Sequence, residues 1–256
     1  MDAPGLSSAR IRIRIRGLDH RLIDQAAGDI ASDARRTGAR VNGPLPLPSR
    51  VEVARADGQD EIRGHHRLVE VIGANAQTIE AMRRLNLPTG ADITIVQPDE
   101  PVVPDPAALP ARRNRRHDNR VAAVQFLYAW ESQRPPDLVT ALFDFLHGRE
   151  PGREYFAFAE ELIHGVIRDV ALIDEIVAKY ATNWAFGRIA RVDLAILRLA
   201  VFELMRRNDI PPVVSINEAV DIAKEFSTEE SRRFVNGILD SYMNELGRDP
   251  RKAEGG

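Results

Sequence analysis

The chain has 256 residues, 44% of them hydrophobic, with 35 basic and 38 acidic side chains, a formal charge of −3 and no cysteine. This length fits one large domain or two ordinary ones with ample core, and the lack of cysteine excludes disulfides, thiolate metal sites and cysteine nucleophiles, as suits a reducing, cytoplasmic setting. No apolar run reaches membrane-span length and the opening "MDAPGLSSAR" lacks the apolar core of a secretory signal, so no membrane association is expected; the charge is uneven, +2 over residues 1–97 and −5 over 98–256.

The first predicted element is a strand at "RIRIRIR", where Ile11, Ile13 and Ile15 alternate with Arg10, Arg12, Arg14 and Arg16. A strand sends successive side chains to opposite faces, so this stretch has one apolar and one cationic face. The cationic face is the wet side of a sheet, a guard against edge-to-edge pairing, or a contact for an anionic partner. A helix follows over about Asp19–Thr37, with Leu22, Ile23, Ala26, Ile30 and Ala34 at helical spacing and Gly38 as its stop. Next come extended chain through "RVNGPLPLPSRVEVAR", a tight turn at Asp57-Gly58, a return strand "DEIRGHHRLVEVI", a helix over about Asn75–Leu85 and a strand "ADITIVQ". The order β-α-β-β-α-β predicts a ferredoxin-like sandwich of one sheet and two helices over residues 1–97.

Residues 98–111 hold five prolines, at 98, 101, 104, 106 and 110, which neither continue a helix nor donate to a strand ladder. They predict a linker, semi-extended at about 3 Å per residue and so able to span roughly 40 Å. From residue 112 to 256 the periodicity is helical. "NRVAAVQFLYAWE", "REYFAFAEELIHGVIRDV", "ALIDEIVAKYATN", "ARVDLAILRLAVFELMRR", "VSINEAVDIAKEF" and "EESRRFVNGILDSYMNEL" repeat apolar residues every three or four positions, which predicts an all-helical bundle. Ser215, three residues before Glu218, is a candidate capping box for the penultimate helix.

Catalytic constellations are missing: there is no glycine-rich phosphate loop, nucleophile elbow or paired-histidine metal motif, and neither a metal nor an organic cofactor is expected. His65-His66 lies within a strand, where neighbours face opposite sides and do not readily share one metal. The densest charge feature is "ARRNRRHDNR". Arg112, Arg113, Arg115, Arg116 and Arg120 crowd the start of a helix against the helix dipole, which favours an external anion such as phosphate. Tyr128, two turns further on, offers a stacking face or packs in the core. In "TEESRRFVNG", Arg232, Arg233, Phe234 and Asn236, with Glu230 as an acceptor, combine the cations, ring and amide that readers of single-stranded RNA use.

"RIRIRIRGLDHRLIDQAAGDIASDARRTGARVNGPLPLPSR", "DEIRGHHRLVEVI" and "TIEAMRRLNLPTGADITI" closely resemble the small-subunit ribosomal protein S-ten, which also serves as the transcription factor NusE. "RRNRRHDNRVAAVQFLYAWE" and "VDLAILRLAVFELMRRNDIPPVVSINEAVDIAKEFSTEESRRFVNGILD" resemble the antitermination factor NusB across residues 112–246. The resemblance implies a covalently joined NusE–NusB pair, a non-enzymatic module that binds boxA-type RNA and helps RNA polymerase, with other Nus factors, to read through terminators. It also implies roles for individual residues. Arg112, Arg113, Arg115, Arg116 and Arg120 match the family's basic RNA-binding segment, Tyr128 and Phe234 its aromatic positions near RNA, and Glu230 an acidic position that influences boxA affinity. His20, Arg21 and Asp24 match positions that contact NusB, with Asp193 their counterpart, so a His20–Asp193 contact is expected. The long ribosomal arm of the S-ten family is shortened here to "VEVARADGQ", which weighs against ribosome assembly. A structural ribosomal protein carrying a tethered NusB-like chaperone is the alternative.

Overall fold

The computed structural model describes residues 10–54, 61–84, 88–96, 114–147, 149, 151–182 and 185–253. The chain divides into two compact units, Met1–Ala111 and Arg112–Gly256. The Asp57-Gly58 turn and the proline-rich segment 98–111 lie outside the described residues.

The first unit follows the expected order: β1 (Arg10–Gly17), α1 (His20–Arg36), β2 (Arg40–Ala54), β3 (Glu61–Ile72), α2 (Ala76–Arg83) and β4 (Asp92–Val96). Its strands form one antiparallel sheet in the order β2-β3-β1-β4. Strand alternation puts Ile13 and Ile15 of β1 beside Val69 and Val71 of β3, and α1 covers them with Ile23, Ala26, Ala27, Ile30 and Ala34. Asp19 caps α1, accepting the Arg21 backbone N–H at 2.8 Å, and Gly38 ends it with φ +87°.

The arginine strand has a specific explanation in the register. Arg12 lies directly opposite Glu70 and Arg16 directly opposite Asp92, and both pairs close, at 2.9 and 2.7 Å; Arg10 approaches Glu70 at 3.7 Å. Much of the cationic face is therefore matched by acids on the neighbouring strands. One arginine falls on the opposite, covered side. Arg67 pairs in register with Ile15, is buried, and is met by Asp24 of α1, with Nε to Oδ1 at 2.7 Å.

The second unit is all-helical among its described residues: α3 (Arg115–Gln133), α4 (Leu138–His147), a 3-10 turn (Arg153–Phe156), α5 (Ala157–Arg168), α6 (Val170–Tyr180), a 3-10 turn (Phe186–Arg188), α7 (Arg191–Arg206), α8 (Pro212–Phe226) and α9 (Glu229–Leu246). α7 is the central helix, with every residue from Val192 to Leu204 buried and α3, α5, α6, α8 and α9 packed on it. α5 comes especially close at Gly165, where a Cβ would lie 2.0 Å from Cζ of Phe202.

Two expectations need correction. Ser215 is not a cap: α8 begins at Pro212, whose fixed φ suits a first helical position, and the Ser215 hydroxyl donates to Glu203 Oε2 at 2.5 Å. α4 had no counterpart among the expected helices. Asp137 starts it by accepting the Val139 and Thr140 backbone N–H groups at 3.0 and 3.3 Å, just after Pro135-Pro136.

Candidate nucleic-acid interface

Of the basic run, Arg112 and Arg113 lie outside the described residues. Asn114 caps α3 by accepting the His117 backbone N–H at 2.8 Å, and the three later arginines then point to three different environments. Arg115 donates to the backbone carbonyls of Tyr155, at 3.0 Å, and Glu154, at 2.6 Å. These acceptors are neutral, so they fix the guanidinium without cancelling its charge. Arg116 lies over the Phe158 ring, 3.9 Å from its centroid. Both side chains belong to exposed residues.

Arg120 differs from its expected place on a phosphate-binding surface. Its side chain is 5% exposed and forked onto Glu203 of α7, with Nε and Nη2 at 2.8 and 3.2 Å, while Nη1 approaches Glu218 of α8 at 3.6 Å. One helical turn after Arg116, this position faces the bundle, and a buried guanidinium there requires a buried carboxylate. Of the described arginines in this run, Arg120 alone is neutralised by a carboxylate of the protein, and Arg115 and Arg116 keep their charge.

His117 completes the junction. Nδ1 meets Glu218 at 3.0 Å and Nε2 approaches Glu225 at 3.6 Å. The hydrogen bond to Glu218, and then that to Glu225, outweigh burial and raise the imidazole pKa to about 9. Its folded pKa stands above the ordinary 6.5, so the stabilisation is fully present below about pH 6.5 and is lost as pH rises through about 9. Urea denaturation of the parent chain should show this decline between those values, and His117→Gln should remove it.

Tyr128 is likewise repositioned: its exposure is 0%, so the ring packs in the core instead of offering a face to a base. Tyr128→Ala should cost about 3–5 kcal/mol, as for other large aromatic truncations. A thermal midpoint equal to that of the parent would instead indicate a surface ring.

At the start of α9, Thr228 caps the helix by accepting the Ser231 backbone N–H at 3.1 Å. Arg232 is held by Glu229, with Nη2 to Oε1 at 2.5 Å, and Arg233 approaches the same carboxylate at 3.6 Å. Asn236 donates to Asp240 at 2.7 Å, Phe234 is half-buried, and Glu230 is exposed. The starts of α3 and α9 meet opposite ends of α7, Arg120 at Glu203 and Ser231 at Asp193. α8 links them, since its Glu225 is beside His117 and only four residues before Glu229.

The residues expected to join the two halves are also placed within their own units. The His20 ring is edge-on to His65, with centroids 5.8 Å apart; burial, and then the charge of Arg67, lower the His65 pKa to about 4. Arg21 is exposed, Asp24 pairs with Arg67, and Asp193, in the first turn of α7, accepts the Ser231 hydroxyl at 2.6 Å. Sequence reasoning had not identified Glu203, Glu225, Phe158 or Arg207, because the partners that place them, Arg120, His117, Arg116 and Glu161 respectively, lie 42 to 108 positions away in the chain. Among the described residues no group of three or more histidine, cysteine, aspartate or glutamate side chains is arranged to hold a metal, and no helix is long and apolar enough to cross a membrane.

Comparison with known proteins covers both units. A family model described as "NusB family" matches residues 117–244, and one described as "Ribosomal protein S10p/S20e" matches residues 12–96. The transcription antitermination protein NusB of Methylacidiphilum infernorum (isolate V4) is 42% identical over 133 residues, covering 52% of this chain and 93% of that protein. Its counterpart in Trichlorobacter lovleyi is 45% identical over 125 residues, covering 49% and 87%. Among solved structures, T. maritima NusB is similar at 36% identity, covering 52% of this chain and 93% of that one, with a TM-score of 0.47.

Proposed function

Because the chain belongs to the NusB family and carries an S-ten (NusE)-like unit ahead of it, we propose that it is a transcription antitermination module in which both partners are supplied by one polypeptide. The observation that carries the RNA-binding part is the pair Arg115 and Arg116. Both are exposed at the start of α3 and held in place by neutral groups, two carbonyls and a ring, so their charge remains available to an anionic chain. Arg232, Arg233, Phe234, Asn236 and Glu230, at the start of α9, extend the surface by way of α8, whose Glu225 lies beside His117. Arg112 and Arg113 precede it in sequence. The ligand in this reading is single-stranded RNA of the boxA type, the effect is read-through by RNA polymerase together with other Nus factors, and the site is the cytoplasm. The module binds and does not catalyse.

The linker at 98–111 supports docking of the two units within one chain, since short tethers give effective concentrations of order mM. His20, Arg21 and Asp24 are the proposed docking residues of the first unit, and Asp193 of the second. Asp193→Lys should loosen that docking, read as a larger radius of gyration by solution scattering; an unchanged radius would reject the assignment. The alternative of a structural ribosomal protein is disfavoured by the connection between β2 and β3, which spans only residues 55–60.

The functional test is transcription in vitro across a terminator placed behind a boxA leader. The full chain should raise read-through on this template and not on one with a scrambled leader. Equal read-through on both templates would reject the proposed function.

A further inference from the structure

Phe158, the second residue of α5, is surrounded by three guanidiniums. Arg116 lies 3.9 Å from the ring centroid, Arg207 5.1 Å and Arg120 5.5 Å. They come from the start of α3, the residue after α7, and one turn further along α3. Two of the three are engaged by acids: Arg120 by Glu203, and Arg207 by Asp209 at 2.8 Å and Glu161 at 3.0 Å. Arg116 is different. Among the described residues no carboxylate lies within ion-pair distance of it and no hydrogen bond is made to its side chain; its contact is the ring. At 3.9 Å the ring covers one side of the guanidinium, and the exposed position leaves the other side to solvent.

The surroundings discriminate between possible contacts. Asp209 and Glu161 expose 54% and 64% of their side chains nearby, and Asp209 is held below the usual carboxylate range chiefly by its hydrogen bond with Arg207, with a smaller contribution from Arg116. A phosphate placed against Arg116 would meet the repulsion of these carboxylates. A nucleobase would find a planar cation backed by an aromatic ring, with carboxylate oxygens available to its amino groups.

We propose that Arg116 is a base-stacking residue for single-stranded RNA, sandwiched between one nucleobase and Phe158, and that Phe158 is the positioning residue that sets its plane. This assignment rests on the RNA-binding reading above and gives one of its cations a role other than phosphate neutralisation.

Lysine keeps the charge of arginine and loses the plane, so Arg116→Lys separates the two roles. Binding of a boxA-type RNA to the full chain should be followed across a salt series for the parent, R116K, R116A and F158L. Stacking on one base is worth about 1–3 kcal/mol, so R116K should weaken binding roughly tenfold while leaving the salt slope unchanged. With an RNA series carrying one abasic position each, a single abasic site should abolish the difference between R116K and the parent. F158L should resemble R116K although the arginine is retained; if F158L fails to fold, R116K, an exposed change, still carries the test. Parent-like binding by R116K, with R116A reducing the salt slope by about one, would identify a phosphate contact and overturn the proposal. Unchanged binding by R116A would also overturn it. If the parent binds no RNA, the proposed function falls and takes this inference with it, whereas indifference to R116K in a chain that binds RNA rejects the inference alone.

Discussion

Glu203→Ala is expected to destabilise the helical unit by about 3–5 kcal/mol, because it leaves the Arg120 guanidinium buried without its forked carboxylate. The side chains of Arg120 and Glu203 are 5% and 1% exposed, so water cannot readily replace the lost partner. Ser215, which donates to Glu203 at 2.5 Å, loses its acceptor in the same substitution. For a unit of this size the thermal midpoint should fall by on the order of 10 °C. Arg120→Met combined with Glu203→Leu should recover most of the loss, since a well-packed apolar pair often equals a buried ion pair. A double variant no better than Glu203→Ala would show that the cost arises elsewhere. Arg120→Ala should also unfold more easily, and at temperatures where it remains folded its RNA binding should keep the parent's salt slope. A slope reduced by about one would put Arg120 back on the phosphate surface.

Asp24→Ala should have a comparable effect on the first unit, again about 3–5 kcal/mol, by stranding Arg67 beneath α1. The side chains of Arg67 and Asp24 are 1% and 6% exposed, so salt should barely screen the pair. The loss measured by urea denaturation should therefore be nearly the same at low and high ionic strength. A loss that vanishes in high salt would indicate a solvent-exposed contact. Asp24→Ala would weaken docking simply by loosening α1, and Asp193→Lys removes the acceptor of the Ser231 hydroxyl, so a change in docking in either variant is read against that variant's own loss of stability.

The parts of the fold that depend on local spacing could be read from the chain. The "RIRIRIR" alternation marked β1 and its buried isoleucines, and Ile23, Ala26 and Ile30 marked the covered face of α1. What depended on register or distant partners was hidden. The match of Arg12 with Glu70 and Arg16 with Asp92 follows only once β1 is paired with β3 and β4. Arg67 looks like any strand arginine until its parity with Ile15 turns it inward. α4 was missed because its ten residues follow two prolines and are too short for periodicity to stand out. The same limit applied to the candidate site. Five arginines in one run resembled one uniform cationic patch, yet helical geometry sends Arg120 into the bundle and leaves Arg115 and Arg116 outside.

In the proposed function, the exposed cations at the start of α3 give this chain a selective RNA site. The most direct measurement is the affinity of the full chain for a short boxA RNA and a scrambled control across a salt series, with the parent compared to a variant lacking the charges of Arg115 and Arg116. The parent should prefer boxA and bind it more weakly as salt rises, and the variant should show both lower affinity and a smaller salt slope. Equal binding of the two RNAs, or a variant indistinguishable from the parent, would contradict that reading.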